Sequence, residues 1–372
     1  MKKALIYITI ILLVSVPIFA QSGSPQQKIE NSRRNAITRA IHEVSSAVAG
    51  INVSAIETYN MSRDPFFNMF FPELRRQRKV QSVGSGVVIS PDGYIVTNYH
   101  VIEDAIIGNA GKIVVTIPPG DKYNAEVIGQ DKVSDVALLK IDVEDAHYVR
   151  MGDSDSIILG EWSIALGNPF GLFSVSKRPT VTVGVISALN MDFGAQQDDR
   201  VYQDMIQTDA SINTGNSGGP LVNAHGELIG INTFIFTGGN YSRGSIGIGF
   251  AIPVNRVKTV VEQLKKYGEI DRSYRTGLIV NDVSQPMAEY LGLESDDGVI
   301  VSQVKENSSA DKSGFKVGDV IIKVGDKTVK SKETIARYIK TNYLKAGDIL
   351  NLLVIRDGKE MELELELERY DK

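Results

Sequence analysis

The sequence contains no cysteine among its 372 residues and only four histidines. Without cysteine the chain cannot form a disulfide, carry a lipid on an N-terminal cysteine, or bind zinc through thiolates. It also lacks the HExxH metalloprotease motif, the Walker phosphate-binding loop, and a GxGxxG run between a strand and a helix. No motif in the sequence therefore predicts a metal site or a nucleotide site, and we expect any catalysis here to need no cofactor.

The overall charge is slightly acidic, and the composition is that of an ordinary globular protein. Apolar residues make up 42% of the chain and charged residues 23%, with a net charge of -5. This balance gives no indication of nucleic-acid binding, and we expect none. Positive charge is concentrated only in the stretch RRQRK at 75–79, which predicts a solvated loop or a surface for an acidic partner.

The N-terminal segment predicts export. Two lysines precede an apolar run that ends near Ala20, and polar residues follow. This order is typical of a secretory signal, so residues 1–20 are expected to direct the chain to the periplasm or cell envelope. The run is nearly long enough to span a bilayer, which makes an uncleaved inner-membrane anchor the alternative. The polar stretch 21–35 predicts a linker.

One serine lies among residues with very small side chains, in the run TGNSGGP at 214–220. Glycines on both sides let backbone N–H groups approach a substrate carbonyl, and fixed N–H donors stabilise the oxyanion of a tetrahedral intermediate. A serine hydroxyl is a weak nucleophile, however, and needs a base that a third group holds in one tautomer. Ser217 is therefore a candidate nucleophile that requires two partners.

His100 and Asp135 are the candidate partners. His100 follows a turn signal and the strand-like run 94–96, whereas Asp135 begins the run DVALLK, where a charge entering a buried strand needs a donor such as a histidine N–H. The chain order His100, Asp135, Ser217 is that of chymotrypsin and differs from the order in subtilisin and the α/β-hydrolases. The other histidines lie in ordinary helical or loop contexts.

Strand and turn signals divide the rest of the chain into units. Short apolar runs broken by Gly, Pro, Asn and Asp fill residues 36–270, with His100 and Asp135 in a first set and Ser217 in a second. This pattern predicts two β-barrels with the three residues in the cleft between them, closed by a helix at 254–267. Residues 273–369 contain two helical and five or six strand-like segments, enough for an independent domain.

These motifs resemble the HtrA (Deg) family of exported trypsin/chymotrypsin-like serine endoproteases, over essentially the whole length after residue 36. The matching runs are TNYHV at 97–101, DVALLK at 135–140, GNSGGP at 215–220 and GFAIP at 249–253. The C-terminal unit resembles one PDZ domain, through GVIV at 298–301 and SADKSGFKVGDVI at 309–321. The resemblance implies a mainly β chain: a double six-stranded β-barrel of the chymotrypsin type over 36–270, then an α+β PDZ domain over 273–369.

The resemblance also assigns roles within the protease unit. His100 would be the general base and then acid, Asp135 its orienting carboxylate, and Ser217 the nucleophile that forms an acyl-enzyme. The oxyanion hole would lie along Gly215, Asn216 and Ser217, with N–H groups donated by the first and last. A small apolar pocket, which implies cleavage after Val, Ile or Ala, would be lined by Ile212, Gly249, Phe250 and Ala251.

For the PDZ unit and the assembly, the resemblance implies protein partners. A peptide C-terminus would add as a strand, with its carboxylate held by backbone N–H groups, along Gly277, Leu278, Ile279 and Val280. Ile279 stands where the family commonly has glycine, so the peptide preference departs from the family pattern. Family members form homotrimers or multiples of them through N-terminal aromatic residues, and the candidates, which could instead fill the first barrel, are Tyr59, Phe66, Phe67 and Phe70.

The implied function is ATP-independent endoproteolysis of misfolded or unfolded proteins in the cell envelope, regulated by the PDZ domain. One alternative is a membrane-anchored regulatory protease that cuts a specific signalling protein, which a single PDZ domain and an N-terminal anchor would favour. The other alternative is a chaperone-like binding module with a vestigial protease site, against which the intact triad argues.

Overall fold

The computed structural model describes residues 25–60, 75–107, 109–168, 171, 173–196, 198–235 and 245–369. The segment predicted to be a signal or an anchor lies outside these residues, as do Phe66, Phe67 and Phe70. In the described ranges, helices long and apolar enough to cross a bilayer are not found. The helices are α1 (Pro25–Arg33), α2 (Ala36–Val44), α3 (Tyr99–Ile107), α4 (Phe173–Ser176), α5 (Val254–Tyr267), α6 (Gln285–Leu291), α7 (Ser309–Lys312) and α8 (Lys332–Thr341).

The first sheet of the protease unit has seven antiparallel strands. They are β1 (Val48–Asn60), β2 (Arg75–Val88), β3 (Tyr94–Thr97), β4 (Asn109–Ile117), β5 (Asp121–Asn124), β6 (Glu126–Asp131) and β7 (Val136–Lys140). Their order is β5-β4-β1-β2-β3-β7-β6, with β1 and β2 paired continuously from Val48↔Val87 to Asn60↔Arg75. Among the described residues no pairing joins β5 to β6, so this sheet curves without closing.

The second sheet closes into a six-stranded barrel. Its strands are β9 (Trp162–Gly167), β10 (Thr180–Met191), β13 (Met205–Thr208), β14 (Pro220–Val222), β15 (Glu227–Ile235) and β16 (Gly249–Pro253), and β8 (Arg150–Met151) adds in parallel beside β15. The ring runs β14-β9-β10-β13-β16-β15 and is completed by the β14–β15 pair. A two-stranded hairpin outside this ring consists of β11 (Gly194–Ala195) and β12 (Val201–Tyr202).

The C-terminal unit is an antiparallel sheet with helices. Its strands are β17 (Tyr274–Arg275), β18 (Leu278–Asp282), β19 (Val299–Val304), β20 (Val320–Val324), β21 (Lys327–Thr328), β22 (Ile349–Arg356), β23 (Lys359–Glu366) and β24 (Glu368–Arg369). The sheet order β18-β19-β20-β22-β23 leaves β18 at one edge. Its core, which includes Val301, Phe315 and Leu352, is separate from the core of the protease unit.

Helix α5 joins the two sheets of the protease unit. Its apolar residues recur at helical spacing, and Val257, Val261 and Leu264 are buried in a core shared with both sheets. The helix ends at Gly268, whose left-handed backbone (φ 77°) closes the last turn with an N–H bond to the Leu264 carbonyl. The predicted helix at 254–267 is therefore confirmed.

The predicted mainly β architecture, with two strand-rich sheets followed by a smaller α+β unit, is confirmed, and the structure adds detail to it. The second barrel has the expected six strands, whereas the first sheet has seven. The predicted linker contains helix α1, and the basic run at 75–79 begins strand β2, so the prediction of a solvated loop there was wrong. This basic run is part of a strand because its backbone pairs with β1, and that pairing continues as far as Arg75.

Candidate active site

Asp135 stands where the chain enters strand β7, and its backbone there is left-handed (φ 56°), a conformation that aspartate tolerates better than most residues. The side chain is fully buried. Its carbonyl oxygen accepts the Tyr99 N–H at 3.1 Å and the Asn98 side-chain amide at 3.0 Å. These bonds fix the β7 entry against the start of helix α3, which carries His100.

His100 lies in the first turn of α3, and Asp135 binds it twice. Oδ1 of Asp135 accepts the His100 backbone N–H at 3.0 Å, one of the amides that a helix start leaves without an intrahelical acceptor. Oδ2 lies 2.8 Å from His100 Nδ1. With Nδ1 engaged by a carboxylate, Nε2 is left as the ring nitrogen that can take a proton, which is the arrangement a general base needs.

Ser217 reaches the same cavity from the second barrel. A cavity of about 350 Å³ is lined by His100, Val101, Ile212, Thr214, Gly215 and Ser217, together with Ser82, Val83, Asn213 and Thr233. Ser217 Oγ donates to the Thr233 carbonyl at 2.9 Å rather than to the His100 ring. The hydroxyl must therefore turn from Thr233 towards His100 before it can lose its proton.

The backbone before Ser217 provides two unoccupied donors. Gly215 has a left-handed backbone (φ 98°) inside a tight turn closed by the Asn216 N–H to the Asn213 carbonyl at 2.9 Å. Within the described part of the chain, the N–H groups of Gly215 and Ser217 have no protein acceptor. These two amides are available to an oxyanion, whereas the amide of Asn216, grouped with them from the sequence, is used to close the turn.

Ser85 holds this turn in place. Its hydroxyl donates to the Gly215 carbonyl at 2.6 Å and accepts the Asn168 N–H at 2.7 Å, and its own N–H donates to the Ser217 carbonyl at 2.9 Å. The side chain is fully buried. Strand β2 of the first sheet therefore positions the oxyanion turn of the second barrel. The sequence interpretation missed Ser85, and the small residues beside it in the run GSG were the available signal.

The residues expected to form the specificity pocket separate into two groups. Ile212 lines the cavity, and a β-carbon on Gly249 would come within 2.9 Å of Ile212 Cδ1, so Gly249 packs directly against it. Phe250 instead stacks edge-on against Phe193, with ring centroids 4.7 Å apart. Ala251 belongs to the buried core that also contains Ile212. Of the four residues predicted to form the pocket, only Ile212 therefore lines the cavity.

The residues expected to bind a peptide C-terminus lie at the exposed edge of the C-terminal sheet. Gly277 is left-handed (φ 77°), and a β-carbon there would lie 2.1 Å from Ser308 Oγ, so this position requires glycine. The Leu278 N–H donates to Thr276 Oγ1 at 3.2 Å, Ile279 is 53% exposed, and Val280 is half-buried. Helix α8 begins beside the end of β18, where the Lys332 N–H donates to Asp282 Oδ1 at 2.8 Å.

Comparison with known proteins covers both units. A family model for the trypsin-like peptidase domain matches residues 84–231, and one for the PDZ domain matches residues 259–367. The periplasmic serine endoprotease DegP of Escherichia coli K12 is 35% identical over 381 residues, which cover 95% of this chain and 76% of that protein. A probable periplasmic DegP-like serine endoprotease of Chlamydia trachomatis serovar D is 41% identical over 82% of this chain, and the match spans 59% of its own length.

Solved structures agree with the sequence relatives. The HtrA-type protease AlgW with decapeptide superimposes with a TM-score of 0.61 at 33% identity, covering 90% of this chain and 99% of that one. A serine endoprotease from Yersinia pestis gives a TM-score of 0.55 at 30% identity, covering 90% of this chain and 98% of that one. These likenesses extend over the trypsin-like unit and the PDZ unit together.

Proposed function

Because this chain belongs to the DegP/HtrA family of serine endoproteases, we propose that it is an exported serine endopeptidase that cleaves unfolded or misfolded proteins of the cell envelope by acyl-enzyme catalysis. Two observations together carry this proposal. His100 Nδ1 lies 2.8 Å from Asp135 Oδ2, and His100 and Ser217 line the same cavity. The relatives named as periplasmic and the predicted N-terminal export signal support the location. An N-terminal run retained as an anchor would fit the runner-up, a regulatory protease anchored in the inner membrane.

In the proposed mechanism His100 accepts the Ser217 proton as the hydroxyl attacks the scissile carbonyl. Asp135 holds the ring and stabilises the imidazolium that forms. The free amides of Gly215 and Ser217 bind the oxyanion, and such donors stabilise a transition state because they need no reorganisation. His100 then returns the proton to the leaving amine. Water repeats the sequence on the acyl-enzyme.

We propose that cleavage follows small aliphatic residues such as Val, Ile or Ala. Apart from His100, the side chains that line the cavity are uncharged, and the buried Ile212 forms one wall. A charged residue would lose its hydration there without finding a partner. A large aromatic residue would need the space that Ile212 occupies.

Contacts between the C-terminal unit and the protease unit support regulation by the PDZ domain. Lys340 of α8 pairs with Asp199 at 2.5 Å, and the Tyr343 hydroxyl donates to the Val201 carbonyl. The Val201 N–H in turn donates to the Val133 carbonyl at 2.8 Å, two residues before Asp135. A peptide that added as a strand beside β18, the edge strand next to α8, would therefore lie close to the helix that holds the hairpin β11–β12. We propose a homotrimer on family grounds.

The test is cleavage of unfolded casein by the protein purified after expression of the full sequence, and by its Ser217→Ala variant. We expect cleavage by the wild type, none by Ser217→Ala, and full cleavage by Ser156→Ala, in which an exposed serine of the same domain is removed. Sequencing the product termini reports the residues before the cut, and sequencing the protein's own N-terminus reports whether residues 1–20 remain. Cleavage by Ser217→Ala would refute the proposal. Protection of casein from aggregation without cleavage by the wild type would favour the chaperone alternative.

A further inference from the structure

Two residues outside the three protease motifs reach the catalytic carboxylate. Tyr202, in strand β12, donates its hydroxyl to Asp135 Oδ2 at 3.1 Å, the oxygen that also faces His100 Nδ1. Arg200, two residues earlier, brings its Nε to 3.5 Å from Asp135 Oδ1. That distance makes the second contact an ion pair rather than a hydrogen bond. Asp135 is fully buried, so both residues meet its charge with little solvent between them.

Arg200 is fixed where it stands by groups from two elements. Its Nη2 lies 2.5 Å from Glu103 Oε2 on helix α3, it pairs with Asp198, and its guanidinium lies 5.8 Å from the centre of the Tyr99 ring. Its side chain is only 12% exposed. Burial lowers the pKa of Arg200, but the surrounding negative charges outweigh burial and raise that pKa overall. Arg200 is therefore a permanent, immobile cation beside the catalytic pair.

Tyr202 remains a hydrogen-bond donor for the same reason. Burial, followed by the charge of Asp135, raises the pKa of the Tyr202 hydroxyl far above its usual value. The hydroxyl therefore stays protonated at neutral pH. It holds Asp135 Oδ2 from a direction that His100 does not use, so the carboxylate cannot rotate away from the ring without losing this bond.

The charge of Arg200 acts on the reaction through His100. During acylation the His100 ring becomes positive, and Asp135 stabilises that charge. The Arg200 guanidinium, which lies beside the same Asp135 carboxylate, disfavours this positive charge on His100, because two positive charges repel each other. Glu103 and Asp198 offset part of this opposition, and Asp199 is engaged by Lys340 on the other side of the hairpin. Removing Arg200 alone would leave these carboxylates and make His100 easier to protonate.

We propose that Arg200 and Tyr202 are positioning residues of the catalytic pair: together they fix the Asp135 carboxylate against His100, and the Arg200 charge sets the pH at which His100 can act as base. The inference rests on the proposed function in taking His100 as that base. It assigns to the hairpin β11–β12 a direct part in the electrostatics of the reaction.

The test is titration of the histidine side chains by NMR in the Ser217→Ala background, which prevents self-digestion and needs no activity. With only four histidines in the chain, the His100 signal is assigned by its loss in His100→Asn. We expect Arg200→Gln to raise the pKa of His100 by about half a unit to one unit. Arg200→Lys, which keeps the charge, and Arg150→Gln, which removes an exposed arginine paired with Glu43 and Glu227, are expected to leave it within about 0.2 unit.

A kinetic readout separates the positioning role from a purely structural one. In the active enzyme we expect the acid limb of kcat/KM to move to higher pH in Arg200→Gln by the same amount, and Tyr202→Phe to lower kcat about tenfold with little change in KM. An unchanged His100 titration in Arg200→Gln would overturn the role of its charge. If that variant does not fold, unaltered kcat and His100 titration in Tyr202→Phe overturn the proposal instead. An inactive wild type would refute the protease function while leaving the titration result interpretable.

Discussion

At the scale of single residues, the active site depends on side chains outside the sequence motifs that contain His100, Asp135 and Ser217. The oxyanion turn is fixed by Ser85, which bridges the Gly215 carbonyl and the Asn168 amide from strand β2. Both of those backbone groups are removed from water and would be unsatisfied without it. Loss of the Ser85 hydroxyl should therefore loosen the oxyanion turn as well as lower the stability of the protease unit.

We expect Ser85→Ala to lower kcat by about tenfold to a hundredfold, because the Gly215 amide loses the anchor that aims it at the oxyanion. KM should change much less, since the cavity walls remain. The comparison variant is Ser90→Ala, in which a turn serine that accepts the Tyr94 N–H is removed away from the cavity. Equal losses in kcat for both variants would show that the effect is one of general stability.

Single residues also show how far the sequence alone could go. His100, Asp135 and Ser217 could be found because each stands in a short local pattern whose chemistry is recognisable. Arg200 and Tyr202 could not, because their role depends on a hairpin that meets Asp135 from 65 or more positions away. The hydrogen bond from Ser217 to Thr233 was equally inaccessible, since a side-chain rotation leaves no trace in a sequence.

At the scale of elements, the strands predicted from apolar runs are present, and those with mixed composition were missed. Strand β1 spans thirteen residues and was not among the predicted strands, although Ile51, Val53 and Ala55 alternate with the polar Asn52 and Ser54 as in a half-buried strand. It forms because β2 and β4 pair with it on both sides. Helix α1 likewise arises in a polar stretch without apolar periodicity. Pairing partners that are distant in sequence are what local patterns cannot supply.

Helix α5 offers a test of how the protease unit is held together. Leu264 is fully buried between the helix and both sheets, so Leu264→Ala should lower the free energy of unfolding of the protease unit by about 2–5 kcal/mol. Glu262→Ala, on the exposed face of the same helix, should change it by less than about 0.5 kcal/mol. Urea unfolding in the Ser217→Ala background measures both. If the two variants unfold at similar urea concentrations, packing of α5 against both sheets does not hold the protease unit together as described.

At the scale of the whole molecule, the hairpin β11–β12 contacts both the PDZ unit and the catalytic carboxylate. Arg272, between the units, pairs with the buried Asp131 at 2.6 Å and donates to the Tyr343 carbonyl at 3.0 Å. Tyr343 is half-buried, and desolvation raises the pKa of its hydroxyl to about 12, so the hydroxyl remains a donor to the Val201 carbonyl at physiological pH. A peptide bound beside α8 would act on this contact.

We expect Tyr343→Phe to alter regulation rather than chemistry. Peptides with an apolar C-terminal residue should change the kcat/KM of the wild type, and the change should shrink at least threefold in Tyr343→Phe because the link to Val201 is lost. The affinity of the peptide for the protein, measured by fluorescence anisotropy, serves as the control for an intact peptide-binding site. An unchanged peptide response in the variant, with unchanged affinity, would rule out this contact as the route.

The central claim is that Ser217 is the nucleophile of a triad with His100 and Asp135, and covalent labelling tests it most directly. The purified protein is treated with a fluorophosphonate, digested, and mapped by mass spectrometry, alongside His100→Ala. We expect one adduct on Ser217 in the wild type, and labelling at least a hundredfold slower without the His100 base. An adduct on another serine, or a wild type that cleaves casein while Ser217 stays unlabelled, would contradict the account.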